Sequence, residues 1–240
     1  SSLKIILQYV GVSDCDMEKG SMRCDANISV RPKESKSLGT KVELKNMISF
    51  RGVRDAVEYE IERQIRSLES GGKIVQETRL WDADRRETRP MRSKEEAHDY
   101  RYFPEPDLLP LRISPDLIET IRKTLPEPPG ARRNRLVGEL KLSDYDAGVL
   151  TADKELADYY EKALQAISAE SPSPDAAKLL CNWVSSELLG RLNTEGKTIS
   201  GSPIPPERMA KLMTLIIGET ISGKIAKTIF EEMWISGKPP

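Results

Sequence analysis

The sequence predicts an α+β fold in which a portion of an antiparallel sheet precedes an all-α helical domain, and three observations carry that expectation. Residues 22–31 and 41–45 alternate apolar with polar side chains, the period of strands with one buried face. Residues 53–68 place Val53, Val57, Ile61, Ile65 and Leu68 three and four apart, the period of an amphipathic helix. From Ser114 onward the texture is helical throughout, with proline clusters as punctuation.

Each element follows from local chemistry. Leu3, Ile6, Leu7 and Val10 make a short amphipathic helix that Gly11 ends. In the first strand Met22, Cys24, Ala26, Ile28 and Val30 face inward, and Arg23, Asp25, Asn27, Ser29 and Arg31 face outward. In the second, Val42 and Leu44 face inward, and Lys41, Glu43 and Lys45 outward. The Lys/Ser-rich connection 32–39 is longer than a two-residue turn, so the strand register stays open and Asp25 and Glu43 are neighbours to within a residue or two. Ser49 is an N-cap for the long helix, whose end is marked by Gly71 and Gly72. Glu58, Glu62, Arg63 and Arg66 form its expected solvated face. Residues 74–81 and 88–92 suggest a second hairpin around a polar turn. Ser93 begins a helix-start signature, and Pro104 and Pro106 hold residues 100–107 in an irregular loop. Residues 115–124, 130–140, 154–167, 175–192, 206–217 and 222–234 read as helices.

Composition limits the chemistry. The chain has 240 residues, 38% of them hydrophobic and 31% charged, with no apolar run of membrane-spanning length and no cleavable signal pattern at its start. A soluble protein with no membrane partner, cytoplasmic or in an organelle interior, is the expectation. Cys15, Cys24 and Cys181 show no C-x-x-C spacing, which argues against disulfides and zinc. The single histidine, His98, excludes a multi-histidine metal site. A net charge of -1 provides no global basic field for nucleic acid, though local patches stay open.

Two constellations carry possible chemistry, each with a plainer alternative. Asp25 and Glu43 on one sheet face suit a hard cation such as Mg²⁺, which takes carboxylate oxygens and leaves positions for water and phosphate. The same face, with Arg23, Lys41 and Lys45 among the acids, also reads as a solvated surface of salt bridges. Arg79, Arg85, Arg86, Arg89, Arg92 and Arg101 could clamp phosphates, or, neutralised by Asp82, Asp84, Glu87, Glu95 and Glu96, form a charged surface hairpin. No phosphate-binding glycine loop occurs, so a nucleotide would have to sit on the sheet.

The strings MEKGSMRCDANISVR over residues 17–31, KVELKN over 41–46, FRGVRDAVEYEIER over 50–63 and DYRYFPEPDL over 99–108 resemble the GatB family, the B subunits of aspartyl/glutamyl-tRNA amidotransferases. The likeness continues through Tyr145, Asp146 and Ala147 and residues 222–227. It implies a catalytic domain similar in fold to glutamine synthetase and an ATP-dependent carbon–nitrogen ligase with glutamine as amido donor. ATP would phosphorylate the side-chain carboxylate of Glu or Asp on mischarged tRNA(Gln) or tRNA(Asn), and ammonia would displace the phosphate. The implied partners are the amidase (GatA) that supplies ammonia, the small GatC protein of the same assembly, and Glu-tRNA(Gln) or Asp-tRNA(Asn). The implied cofactors are ATP and Mg²⁺, with Asp25 and Glu43 as catalytic metal ligands and Arg23, Asn27 and Lys45 as substrate contacts. A non-catalytic tRNA-binding or assembly module is the alternative.

Pro126, Pro128 and Pro129 mark a boundary near residue 126 and residues 200–206 a softer one; the resemblance identifies the parts as 1–125, the C-terminal portion of a cradle-like catalytic domain, 126–201, a helical domain, and 202–240, the start of a YqeY-like helical tail. The family's longer N-terminal part carries a G-L-E-V-H segment and further glutamates. The chain is therefore expected to be a fragment in which Asp25 and Glu43 are an incomplete ligand set, inactive by itself.

Overall fold

The computed structural model describes residues 2–91, 106–167 and 173–240. The chain divides into two compact units, one of residues Val12–Arg122 and one of Ser2–Gly11 with Lys123–Pro240. The sequence signals at Ser93, His98, Arg92 and Arg101, and most of the 100–107 loop, lie outside the described residues. Among the described residues, no helix is long and apolar enough to cross a membrane.

The first unit is a four-stranded sheet covered on one face by a helix. Strands β1 (Ala26–Ile28), β2 (Val42–Lys45), β3 (Thr78–Asp82) and β4 (Glu87–Pro90) lie in that order across the sheet. β1 and β2 are antiparallel, with Asn27 opposite Glu43, and β3 and β4 are antiparallel, with Trp81 opposite Thr88. The central pair β2–β3 is parallel, with Glu43 opposite Thr78 and Lys45 opposite Leu80. The expectation of an antiparallel sheet is corrected there: helix α2 (Phe50–Glu69) carries the chain from one end of β2 back to its other end, which returns β3 in the same direction. Around Gly39 the β1–β2 connection closes so tightly that a Cβ would collide with the Val30 carbonyl oxygen.

α2 begins where Ser49 predicts it, its hydroxyl accepting the Gly52 N–H at 2.9 Å. The face it buries differs from the predicted apolar stripe. Ala56, Glu60 and Gln64 are buried, Val53 and Val57 are half-buried, and Ile61, Ile65 and Leu68 are exposed. Polar demand on the sheet decides this. Gln64 Nε2 donates to Ile28 O at 3.2 Å and its Oε1 accepts from Val30 N at 3.2 Å, taking the place of a strand partner where β1 stops. That capture takes up the chain just past the C-terminal end of β1, whose ladder spans Ala26–Ile28.

Glu60, fully buried, ties the layers together. Arg63 grips it with Nε and Nη2 at 2.9 and 2.7 Å, Gln64 Nε2 donates to it at 2.9 Å, and Thr88 Oγ1 donates from β4 at 3.1 Å. Arg79 of β3 brings Nε to 3.7 Å of Glu60, donates to Thr88 Oγ1 and O at 2.8 and 2.6 Å, and reaches Glu77 at 2.7 Å. Arg63 thus belongs to this buried network and not to a solvated helix face. Val42, Leu44, Met47, Ala56 and Trp81 pack around the network as the apolar core.

The second unit is all-helical: α1 (Ser2–Tyr9), then, beyond α3 (Pro115–Thr124), α4 (Pro129–Leu140), α5 (Asp144–Thr151), α6 (Lys154–Ile167), α7 (Pro174–Trp183), α8 (Leu189–Thr194), α9 (Pro206–Ile217) and α10 (Gly223–Ser236). α3 itself has no buried residue. α1 falls in the second unit because Tyr9 is buried there and its hydroxyl donates to Thr151 O at 3.0 Å. Residues on both sides of position 202 share one core, in which Leu180, Leu188, Met209, Met213, Phe230 and Trp234 pack together. α5 has no counterpart in the sequence reading, because Tyr145, Ala147, Val149 and Leu150 do not gather on one helical face; Ser143 caps it, accepting from Asp146 N at 3.0 Å. Residues 175–192 form one path interrupted by a π turn at Val184–Leu188. Arg132, nearly buried, binds Glu161 bidentately at 3.1 and 3.0 Å and Asp158 at 2.7 Å. All three cysteines are free, and burial pushes the Cys181 thiol up to about 11, which leaves it inert near neutrality.

Burial disfavours the ionised form of Glu60, but its hydrogen bonds from Arg63, Gln64 and Thr88 outweigh burial and hold the carboxyl below its ordinary value of 4.5. A depressed folded value stabilises the fold above the unfolded value, and that stability is lost as pH falls through the folded one. Hydrogen exchange at the β2 amides between pH 7 and pH 3 should therefore show progressive loss of protection on the acid side. Glu60→Gln should lower stability at pH 7 by about 3–5 kcal/mol, the scale for removing one partner of a buried ion pair, and flatten the acid-side slope. An unchanged slope in that variant would assign the acid sensitivity to another group.

Candidate functional site

Strand alternation sends the network residues to one face of the sheet and a different set to the other. On the outer face of the β1–β2 pair stand Asn27, Glu43 and Lys45, with Arg23 and Asp25 in the extended chain just before β1. The pairing of Ala26 with Leu44 places Asp25 next to Lys45, one step beyond Asn27 and Glu43. Asp25 and Glu43 are thus diagonal neighbours on one face, a relation that puts Cα atoms roughly 7–8 Å apart and leaves carboxylates within reach of a common cation.

Lys45 occupies the space between them. Its Nζ lies 3.6 Å from Glu43 Oε2 and 3.9 Å from Asp25 Oδ2, with the Lys45, Asp25 and Glu43 side chains 40%, 51% and 34% exposed. Ion pairs this open to water are worth about 0–1 kcal/mol, so a divalent cation can displace the ammonium, or a phosphate draw it away from the carboxylates, at little cost. Glu43 has a firmer partner in Thr78, whose Oγ1 donates to Oε2 at 2.8 Å. Arg23 and Asn27 are exposed and form no ion pair or side-chain hydrogen bond among the described residues.

The arginine-rich stretch separates by strand face. Arg79 turns inward and is consumed by Glu60, Glu77 and Thr88. Arg86 pairs with Asp55 at 3.8 Å. Arg89 stands on the outer face opposite Leu80, which is itself opposite Lys45, and it pairs with Glu87 at 2.9 Å and Asp82 at 3.4 Å. The described part of this stretch is a charged, largely neutralised hairpin.

The donor set can be tested against the expected Mg²⁺. Among the described residues, no group of three or more His, Cys, Asp or Glu side chains could hold a metal ion. Two carboxylates nevertheless match the way Mg²⁺ is commonly held, through one or two protein carboxylates with phosphate oxygens and waters completing the shell. The pair fits as a partial ligand set that needs a phosphate-bearing ligand or further donors. Thr78 is the residue that the sequence reading missed: a threonine in a strand is ordinary, and only the parallel β2–β3 register brings it to Glu43.

Comparison with known proteins gives the context. A family model of the GatB/GatE catalytic domain matches residues 1–119, and a second model, a GatB domain, matches residues 158–240. The B subunit of the aspartyl/glutamyl-tRNA(Asn/Gln) amidotransferase of Carboxydothermus hydrogenoformans is 58% identical over 238 residues, covering 99% of this chain and 48% of the relative. The proteins of the same name from Nitrosococcus oceani and Persephonella marina are each 56% identical, over 232 and 238 residues, covering 97% and 99% of this chain and 47% and 49% of theirs. The chain thus spans about half the length of the curated relatives it matches. The GatB-domain match runs from residue 158 through the shared helical core to residue 240.

The weakness of the Lys45 bridge gives a direct expectation. Lys45→Met should change folding free energy by no more than about 1 kcal/mol in urea unfolding, because exposed pairs contribute little. A loss of several kcal/mol would mean that the ammonium holds the strand pair together.

Proposed function

Because the chain belongs to the GatB family, we propose that it is part of the B subunit of a tRNA-dependent amidotransferase and carries part of its ATP-dependent catalytic site. The observation that carries this reading is the pair Asp25 and Glu43, set on one open sheet face within a chain 58% identical to such a protein over nearly its whole length. The first unit is read as part of a catalytic domain of glutamine-synthetase type, residues 126–201 as a helical domain, and residues 202–240 as the start of a tail.

The reaction proposed is amide formation on misacylated tRNA in two stages. ATP phosphorylates the side-chain carboxylate of the Glu or Asp esterified to tRNA(Gln) or tRNA(Asn). Ammonia, released from glutamine on the GatA amidase, then displaces the phosphate. The small GatC protein completes the proposed assembly. Mg²⁺ bound with ATP would supply charge neutralisation during phosphoryl transfer. Asp25 and Glu43 would hold it, as acceptor-only oxygens placed on diagonal positions across a strand pair. Lys45 would leave the carboxylates and donate to a phosphate oxygen, since its exposed ion pairs exchange easily. Arg23 and Asn27, exposed beside them, would contact phosphate or the aminoacyl group.

A non-catalytic reading, in which this face only docks RNA or another protein of the assembly, draws on Lys45 already bridging both acids. Asp25→Asn and Glu43→Gln in the full-length protein separate the two readings. Each substitution should reduce ATP-dependent amidation of Glu-tRNA(Gln) or Asp-tRNA(Asn) by at least about 10²-fold, the scale for losing a group that stabilises transition-state charge, while leaving tRNA affinity nearly unchanged. Full amidation in the double variant would overturn the catalytic assignment and favour the docking role.

A further inference from the structure

We infer that Thr78 is a positioning residue for the Glu43 carboxylate, fixing which oxygen Glu43 presents to a cation held with Asp25. The inference rests on the proposed metal-binding role of Asp25 and Glu43 and assigns to it a residue on a different strand.

Glu43 and Thr78 are register partners in the parallel β2–β3 pair, so their side chains rise from the same outer face side by side. Thr78 Oγ1 donates to Glu43 Oε2 at 2.8 Å, a charge-assisted bond of good length. Lys45 cannot set direction in the same way, because its Nζ stands 3.6 Å from that oxygen on a flexible, exposed stem. Threonine is stiff at χ1, and the backbone on either side of it is clamped. Glu43 N donates to Glu77 O at 3.0 Å, Thr78 O accepts from Met91 N at 2.9 Å, and Arg79 is locked into the inner-face network. Thr78 therefore delivers its hydroxyl from a fixed point to a carboxylate that otherwise has three free torsions on an open surface. With Oε2 tied, Oε1 is the oxygen of Glu43 that accepts no hydrogen bond among the described residues. A partner that orients a ligating carboxylate in this manner typically alters metal affinity or activity by roughly 10–100-fold when removed.

An ordinary cross-strand Thr–Glu pair would contribute to sheet stability alone, by a fraction of a kcal/mol. Metal affinity separates the two roles. Mn²⁺ alone is titrated into the full-length protein and followed by electron paramagnetic resonance, with thermal unfolding of each variant in parallel. Thr78→Val keeps β-branching and volume but removes the donor, and should weaken Mn²⁺ binding by roughly 10–100-fold with an unchanged unfolding midpoint. Thr78→Ser restores the donor and should restore the affinity. Equal Mn²⁺ affinity in Thr78→Val and the unsubstituted protein, with Glu43→Gln still weakened, would overturn this inference alone. Absence of Mn²⁺ binding in the unsubstituted protein would overturn the metal reading of Asp25 and Glu43 together with it.

Discussion

A carboxylate with no access to water sits between the helix and the sheet of the first unit, and the arrangement of that unit follows from the need to satisfy it. An uncompensated charge in such a place would cost several kcal/mol, so Glu60 must be met from every side. Arg63 and Gln64 meet it from its own helix, Thr88 from β4 and Arg79 from β3. These bonds set the rotation of α2 about its axis, which is why Ala56, Glu60 and Gln64 face the sheet and the more apolar Ile61, Ile65 and Leu68 do not. Gln64 extends the same polar layer to the end of β1 by pairing with its last exposed backbone groups.

The period of two in a strand then transfers this constraint to the opposite face. Arg79 points inward to the network, so Thr78 points outward to Glu43; Leu44 packs in the core, so Glu43 and Lys45 stand outside it. A shift of one residue in β3 would exchange the two sets, placing Arg79 beside Glu43 and leaving Glu60 without its cross-sheet cation. The interior network and the proposed catalytic face are thus two consequences of one register. The Glu60 network is buried, while the outer face is open to water and carries the long, exposed ion pairs of Lys45.

Much of this is legible in the residues themselves. Alternation in 22–31 and 41–45 places Asp25 and Glu43 on one face, and Ser49 with Gly71 brackets α2, because these signals are local and depend on neighbours within a turn or a strand. The register of β1 against β2 is not legible, since the 32–39 connection is too long for turn chemistry to set it. Nor is the parallel β2–β3 pairing, which depends on α2 crossing the sheet. Glu60 is hidden for a related reason: with Arg63 and Gln64 three and four residues on, it has the spacing of a solvated helix face, and only Thr88 and Arg79, distant in sequence, reveal it as interior. In the second unit, apolar periodicity announces most helices, but not that the segments on either side of residue 202 close over one core.

The coupling between Glu60 and Arg79 across the helix–sheet interface is the central claim, and a double-mutant cycle tests it most directly. Unfolding free energies of Glu60→Gln, Arg79→Met and the double variant, read from hydrogen exchange of the β2 amides, should be non-additive by roughly 1–3 kcal/mol, as for residues sharing one buried network. Additivity within about 0.5 kcal/mol would contradict the account, because it would mean that the helix and the strand are held independently of the buried charge.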